Sequence, residues 1–175
     1  GRKLEFVLTN DTAELRGKAN EISKLKNKIT EVGKAQVVEM VAYTWFNRLM
    51  ALRFMDANGY TIPKVITPLE GMTNPEVLQN ALGGNIEPEL KLDRQRLNDL
   101  LDGKTAATDA QTEAYKMLLV ASCNQWHAAM PFMFERISDY TELLLPDDLL
   151  SDYSIVADIR NGMRDEDCQQ EELIG

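Results

Sequence analysis

Cysteine and histidine are nearly absent from this chain: Cys123, Cys168 and His127 are all that its 175 residues contain. Two cysteines cannot build a disulfide framework, and their scarcity points to a reducing compartment. One histidine leaves no ligand set for zinc, although Cys123 and His127 lie one helical turn apart. No metal site is expected. No stretch approaches the ~18 apolar residues that a membrane span requires, and the first twenty residues are charged where a secretory signal would be apolar. A cytoplasmic protein with no membrane partner is the expectation.

Two further absences remove whole classes of chemistry. No glycine-rich turn follows a buried strand, so backbone amides cannot close on a nucleotide-type cofactor. No two prolines are adjacent, which removes the Pro-Pro-aromatic loop that amino-methylating enzymes set against a flipped base. Lysine is missing after Lys116. Pro146-Asp147 opens like a PD-(D/E)xK nuclease site, in which two acids hold a cation and a downstream lysine stabilises the developing charge; nothing downstream supplies that lysine. The plainer reading is that Leu143-Leu144-Leu145 packs, Pro146 ends a helix, and Asp147 or Asp148 caps the next. No catalytic residue and no cofactor are expected within these residues.

What is present is a chain of 44% apolar and 27% charged residues with a net charge of −9, sized for one domain at ~150 residues per domain. The charge is uneven. Residues 1–64 hold eleven Lys and Arg against seven Asp and Glu, a balance of +4; residues 65–175 hold eight against twenty-one, a balance of −13. A basic leading segment on an acidic body fits a module that meets nucleic acid or an acidic partner along one edge. The chain opens at Gly1 and closes on Leu173-Ile174-Gly175, and reads as a piece of something longer.

Apolar residues recur at helical spacing throughout, and the expected fold is all-α: a single multi-helix domain with a long central apolar helix and an irregular Pro/Gly connector. The first helix is expected over 12–29, capped by Asp11 with Glu14, and Gly33-Lys34 breaks it from a second over 35–58. That second helix is apolar on most sides, so it should lie in the middle, and Asn58-Gly59 should stop it. Residues 59–74, with Pro63, Pro68 and Gly71, form the connector. Further helices are expected over 76–81, started by Asn74-Pro75 and ended by Gly83-Gly84, and over 89–101. A long helix opened by Thr108 and Gln111 should run through Ala129 to a break at Pro131. Shorter ones follow over 132–137, 139–144, 148–159 and 165–173.

Lys18, Lys24 and Lys28 are the candidates for DNA contact, since Lys24 and Lys28 share a face with Lys18 nearby. Glu14, Glu21 and Glu31 alternate with them, the pattern of a solvated helix laced with ion pairs. Arg48 and Arg53 sit within the apolar helix, where an arginine covers the core or holds a carboxylate. His127, among Trp126, Met130 and Phe132, reads as a core residue with a satisfied ring nitrogen. The methionines and the Trp45/Phe46/Phe54 cluster read as core.

Three segments resemble a known family: Ala42-Tyr43-Thr44-Trp45-Phe46-Asn47-Arg48-Leu49-Met50-Ala51-Leu52-Arg53-Phe54-Met55 with Gly59-Tyr60; His127-Ala128-Ala129-Met130-Pro131-Phe132-Met133-Phe134-Glu135; and Glu142-Leu143-Leu144-Leu145-Pro146-Asp147 with Ser154-Ile155-Val156. In order and spacing, over 35–175, they resemble the amino-terminal region of the PglX family, the adenine-specific DNA methyltransferases of BREX phage-defence systems, related to restriction-modification enzymes. The resemblance implies a parent that uses S-adenosylmethionine to methylate the exocyclic amine of adenine, with its cofactor loop and Asn-Pro-Pro-aromatic motif beyond Gly175. Residues 1–175 are then a non-catalytic helical amino-terminal domain, comprising a basic leading helix (1–34) and a helical body (35–175). Its partners would be the methyltransferase domain of the same chain, double-stranded DNA and other defence-system proteins. Tyr43, Trp45, Phe46, Asn47, Arg48, Arg53, His127 and Pro131 carry the family motif and are expected to be structural. The alternative is a protein-interaction domain that docks another defence component without touching DNA.

Overall fold

Glycines and short polar side chains set most of the helix boundaries. The computed structural model describes residues 1–135 and 140–169. Among them the helices are α1 (Arg2–Thr9), α2 (Ala13–Arg16), α3 (Ala19–Val32), α4 (Lys34–Ala57), α5 (Glu76–Leu82), α6 (Arg94–Leu101), α7 (Ala110–Trp126), α8 (Ile155–Gly162) and α9 (Asp165–Cys168), with a 3-10 turn at Glu142–Leu144. The β pairing among the described residues is one isolated bridge, Pro68 with Pro75. The fold is all-α, and no helix among those residues is long and apolar enough to cross a membrane.

The leading segment differs from the single helix expected over 12–29. It is three helices. α1 carries only Leu4 and Val7 as buried residues and has no side-chain cap, so neither periodicity nor capping marks it in the sequence. The expected helix is itself split, because Gly17 ends α2 and Lys18 leaves helical geometry before α3 begins. Thr12, not Asp11, is the cap: its hydroxyl accepts from Leu15 N at 3.2 Å, while the Asp11 carboxylate pairs with Arg16 at 3.2 Å.

Gly33, at φ 88°, divides α3 from α4 as expected. α4 runs 24 residues and ends at Asn58, with Gly59 at φ 70°, a left-handed backbone that suits glycine. Its inward side buries Val37, Val41, Trp45, Leu49, Leu52 and Met55, against α3, α8 and α9. Its other side leaves Met40, Tyr43 and Phe46 exposed. The connector is irregular, as expected. α5 begins after Pro75 with no side-chain cap, where Asn74 was expected to cap.

The second half holds three shortened helices, each with a local reason. α6 starts at Arg94 because the Asp93 carboxylate caps Arg96 N at 3.0 Å, and the Arg94 guanidinium holds the preceding turn through the carbonyls of Ile86, Glu87 and Leu90. α7 is capped by Asp109, not Thr108, through Thr112 N at 3.0 Å and the Thr112 hydroxyl at 2.6 Å. α7 stops at Trp126, before Pro131, and residues 131–134 form a turn in place of the start of a helix over 132–137. α8 starts only at Ile155, where the Ser154 hydroxyl accepts from Ala157 N at 3.1 Å, so neither Asp147 nor Asp148 is its cap. Residues 136–139 and 170–175, on which parts of the helices expected over 132–137, 139–144 and 165–173 fall, lie outside the described residues.

One core joins these elements. Leu25 of α3, Leu49 and Leu52 of α4, Leu97 of α6, Leu118 and Leu119 of α7 and Leu145 are all buried in it. Each such side chain stabilises the fold by about 1.5–3 kcal/mol relative to exposure. α7 packs on α5 and α6, and α1 lies against the 3-10 turn. That last contact shapes the site.

Candidate functional site

Helical geometry turns alternate parts of the Tyr43 to Arg48 run in opposite directions. Trp45 and Arg48 point inward. The Trp45 indole donates to Thr141 O at 2.9 Å, and Arg48, 3% exposed, donates to Glu135 O at 3.0 Å. Its guanidinium lies 5.4 Å from the Trp45 ring centre, within reach of a cation–π contact. Five residues on, Arg53 donates to Asp165 at 2.6 Å, Met163 O at 2.9 Å and the Thr67 hydroxyl at 3.1 Å. Asn47 is half-buried beside them.

Tyr43 and Phe46 point outward and are 69% and 43% exposed. They line an apolar groove of about 590 Å³ between α1, α4, the 3-10 turn and the start of α8, walled by Leu4, Val38, Val41, Trp45, Leu49, Leu145 and Ile155. Glu39 is the one charged side chain in its lining. The groove therefore offers shape and apolar area with almost no polar direction.

His127 follows the last residue of α7, with Nδ1 2.8 Å from Phe134 O. A carbonyl can only accept, so Nδ1 carries the proton. Pro131 lies exposed in the turn that His127 closes. Cys123 is buried one turn earlier, and burial pushes its thiol up to about 12 against the opposing charge of Arg48. It stays a thiol at neutral pH and is no nucleophile. Among the described residues no three His, Cys, Asp or Glu converge to hold a metal.

The three candidate lysines meet different surroundings. Lys18 turns inward to Glu142 at 2.8 Å, Lys28 pairs with Glu31 at 3.0 Å, and Lys24 is exposed on α3. Other cations of the leading segment also meet acids, Lys34 with Glu5 at 2.9 Å and Lys3 with Asp147 at 2.5 Å. Asp147 also receives Lys116 at 2.7 Å, and Lys116 holds Glu113 at 3.0 Å. The chain order that excludes a PD-(D/E)xK motif thus still places a lysine on Asp147, as an ion pair. Burial works against ionising Asp147, yet the bonds from Lys116 and Lys3 outweigh it and hold the carboxyl below its ordinary range. The same pairs raise Lys116 against the effect of its burial.

Asp56 carries a role that periodicity does not reveal. Its buried carboxylate accepts from Val65 N at 2.9 Å, Ile66 N at 2.7 Å and Thr67 N at 2.8 Å, and from the Thr61 hydroxyl. One side chain thereby shapes the connector, and Tyr115 donates to Val65 O from the far side at 2.9 Å. The sequence signal is a lone carboxylate in the last turn of an apolar helix, followed by β-branched residues.

No family profile matches the chain. It is 37% identical over 162 residues, 87% of its length, to the adenine-specific methyltransferase BrxX of Escherichia coli O9:H4 (strain HS). This chain is homologous to the BrxX and PglX methyltransferases over most of its own length. The adenine-specific methyltransferase PglX of Lacticaseibacillus casei (strain Zhang) is 29% identical over 142 residues, 78% of the chain. The chain spans 12% of the length of BrxX and 11% of that of PglX. The BrxX match is longer than the 35–175 region of the sequence resemblance, so it reaches into the first 34 residues as well. S-adenosylmethionine, implied for a PglX-family methyltransferase, takes a glycine turn fed by a strand. Gly33, Gly59, Gly71, Gly84 and Gly103, the glycines at positive φ among the described residues, follow helices or lie in the connector. These residues do not form that seat.

Proposed function

We propose that this chain is the non-catalytic amino-terminal helical domain of a BREX-type adenine-specific DNA methyltransferase, cytoplasmic, packing on the methyltransferase domain of the same polypeptide and helping to seat duplex DNA. The observation that carries this reading is the extent of the match to BrxX, 87% of this chain against 12% of the relative. The parent takes its methyl group from S-adenosylmethionine and places it on the exocyclic amine of adenine. The contribution of these residues is positioning. Lys24, exposed on α3, is the first candidate phosphate contact; Lys28 and Lys18 reach DNA by exchanging Glu31 and Glu142 for phosphate.

The test is DNA affinity of the parent enzyme as a function of salt, with and without the Lys24→Ala, Lys28→Ala pair. Two lost phosphate contacts flatten the slope of log affinity against log salt by about 1.8. An unchanged slope removes the DNA role from α3. The second reading, a domain that docks another defence protein without touching DNA, is supported by the ion pairs that already occupy Lys3, Lys18, Lys28 and Lys34, and an unchanged slope would leave it standing.

A further inference from the structure

A helix that is apolar around its circumference belongs inside a body of protein. α4 meets that condition on one side only, because Met40, Tyr43 and Phe46, at successive three-residue steps, form a second apolar stripe that is left exposed among the described residues. We propose that the groove along this stripe is the seat of an apolar segment from the remainder of the same polypeptide, making Tyr43 and Phe46 the anchors of an intramolecular domain interface. The proposal rests on the reading of the chain as one domain of a longer methyltransferase.

Three observations select that occupant. The groove has the volume of a small-molecule site, about 590 Å³, but such sites orient their ligands with several convergent polar groups. Here Glu39 is the one charged side chain in the lining, and apolar side chains that interdigitate with aromatic anchors need no more. A second copy of the chain would bring its own net charge of −9 against the first, which disfavours self-association. The chain spans 12% of BrxX, so by far the greater part of such a polypeptide lies outside these residues. A tethered segment is present at millimolar effective concentration. Such a segment needs less contact area than a separate protein, whose interface buries about 1,000 Å² or more.

The experiment is photocross-linking in the full-length enzyme carrying Tyr43→p-benzoylphenylalanine, a substitution that the exposed position accommodates. Irradiation should give a cross-link within a single chain, mapped by peptide mass spectrometry to a segment outside these 175 residues. Adding Phe46→Asp should abolish it while the far-ultraviolet circular dichroism below the unfolding transition stays unchanged, which separates loss of the interface from loss of the fold. A link to a second copy, a link to a different protein, or no peptide link at all overturns the proposal. Methyl transfer from S-adenosylmethionine to duplex DNA, measured on the same preparation, tests the underlying reading separately. Methylation without a link in cis overturns the groove and leaves the parent's activity standing. A link in cis without methylation keeps the groove and overturns the activity.

Discussion

Toward its C-terminal end α4 presents Arg53 and Asp56 to the surrounding loops, and both are buried and hydrogen-bonded within the protein. Toward its N-terminal end the same helix presents Tyr43 and Phe46, and solvent reaches both. One end spends polar side chains on holding loops in place; the other keeps an apolar surface that stands open among the described residues. A buried polar group is costly unless its partners are complete, so the first end tolerates no loss. An exposed aromatic has little to lose. The contrast separates what makes this domain fold from what it offers to a neighbour.

Asp56→Ala should strike hardest. Removing the carboxylate leaves the amides of Val65, Ile66 and Thr67 without their acceptor, and the loss should be about 4 kcal/mol at roughly 1–3 kcal/mol per orphaned group. Urea unfolding of Asp56→Ala and Asp56→Asn measures it, with the amide variant, which keeps one acceptor oxygen, losing about half as much. Equal and small losses for both would mean that the connector holds itself. Arg53→Met comes next. It fills a similar volume but gives up three bonds, one of them to an Asp165 that is 55% exposed; with that pair discounted for solvent, about 2 kcal/mol is expected. Asp165→Asn should cost less than Arg53→Met, because an exposed carboxylate is the cheaper partner to lose.

Much of this arrangement is legible from residues alone, for a physical reason in each case. Gly33 and Gly59 bound α4 because left-handed backbone suits glycine, and the apolar run between them can be nothing but helix. The open face of α4 is legible only in part: a helix apolar on most sides says that something must cover it, not whether that cover lies in the same stretch of chain. α1 is invisible because two buried residues do not make a period, and its place is set by Lys3 reaching Asp147, 144 residues away. Caps fall one residue off at Thr12 and Asp109 because adjacent Asp and Thr can both cap: Arg16 already engages Asp11, and Asp109 holds both the amide and the hydroxyl of Thr112. The pairing of Lys28 with Glu31 follows the alternation of charges along the helix, and that of Lys18 does not. Glu142, which holds Lys18, is nowhere near it in sequence.

The groove wall formed by α1 is held in part by charge, through Lys3 and Asp147, and this makes it sensitive to pH. Asp147 has a lowered folded-state value, so its contribution is present above the ordinary carboxylate range and is lost as pH falls through the lowered value. Lys116, raised, keeps its share until pH climbs above the ordinary lysine range. Unfolding midpoints of the wild type and Asp147→Asn should therefore stay apart through neutrality and converge as pH falls through the lowered value of Asp147. With Asp147 63% exposed, the separation should stay under about 1 kcal/mol and shrink in high salt. Curves that remain apart at the acid end would show that the aspartate acts by something other than its charge.

Tyr43→Ala should have the smallest effect, and its sign matters. The ring touches solvent over most of its surface, so little burial is lost. Alanine is the better helix former by a few tenths of a kcal/mol, roughly 0.5 at this position. Stability of the 175-residue chain should thus stay level or rise slightly, whereas a buried neighbour such as Leu49→Ala should cost about 2–5 kcal/mol. The informative measurement repeats both substitutions in the full-length enzyme. If the outward stripe is covered there, Tyr43→Ala becomes destabilising and approaches the cost of its inward neighbour. If it stays neutral in both, the two sides of α4 differ for good, and the aromatic stripe has no cover within the polypeptide.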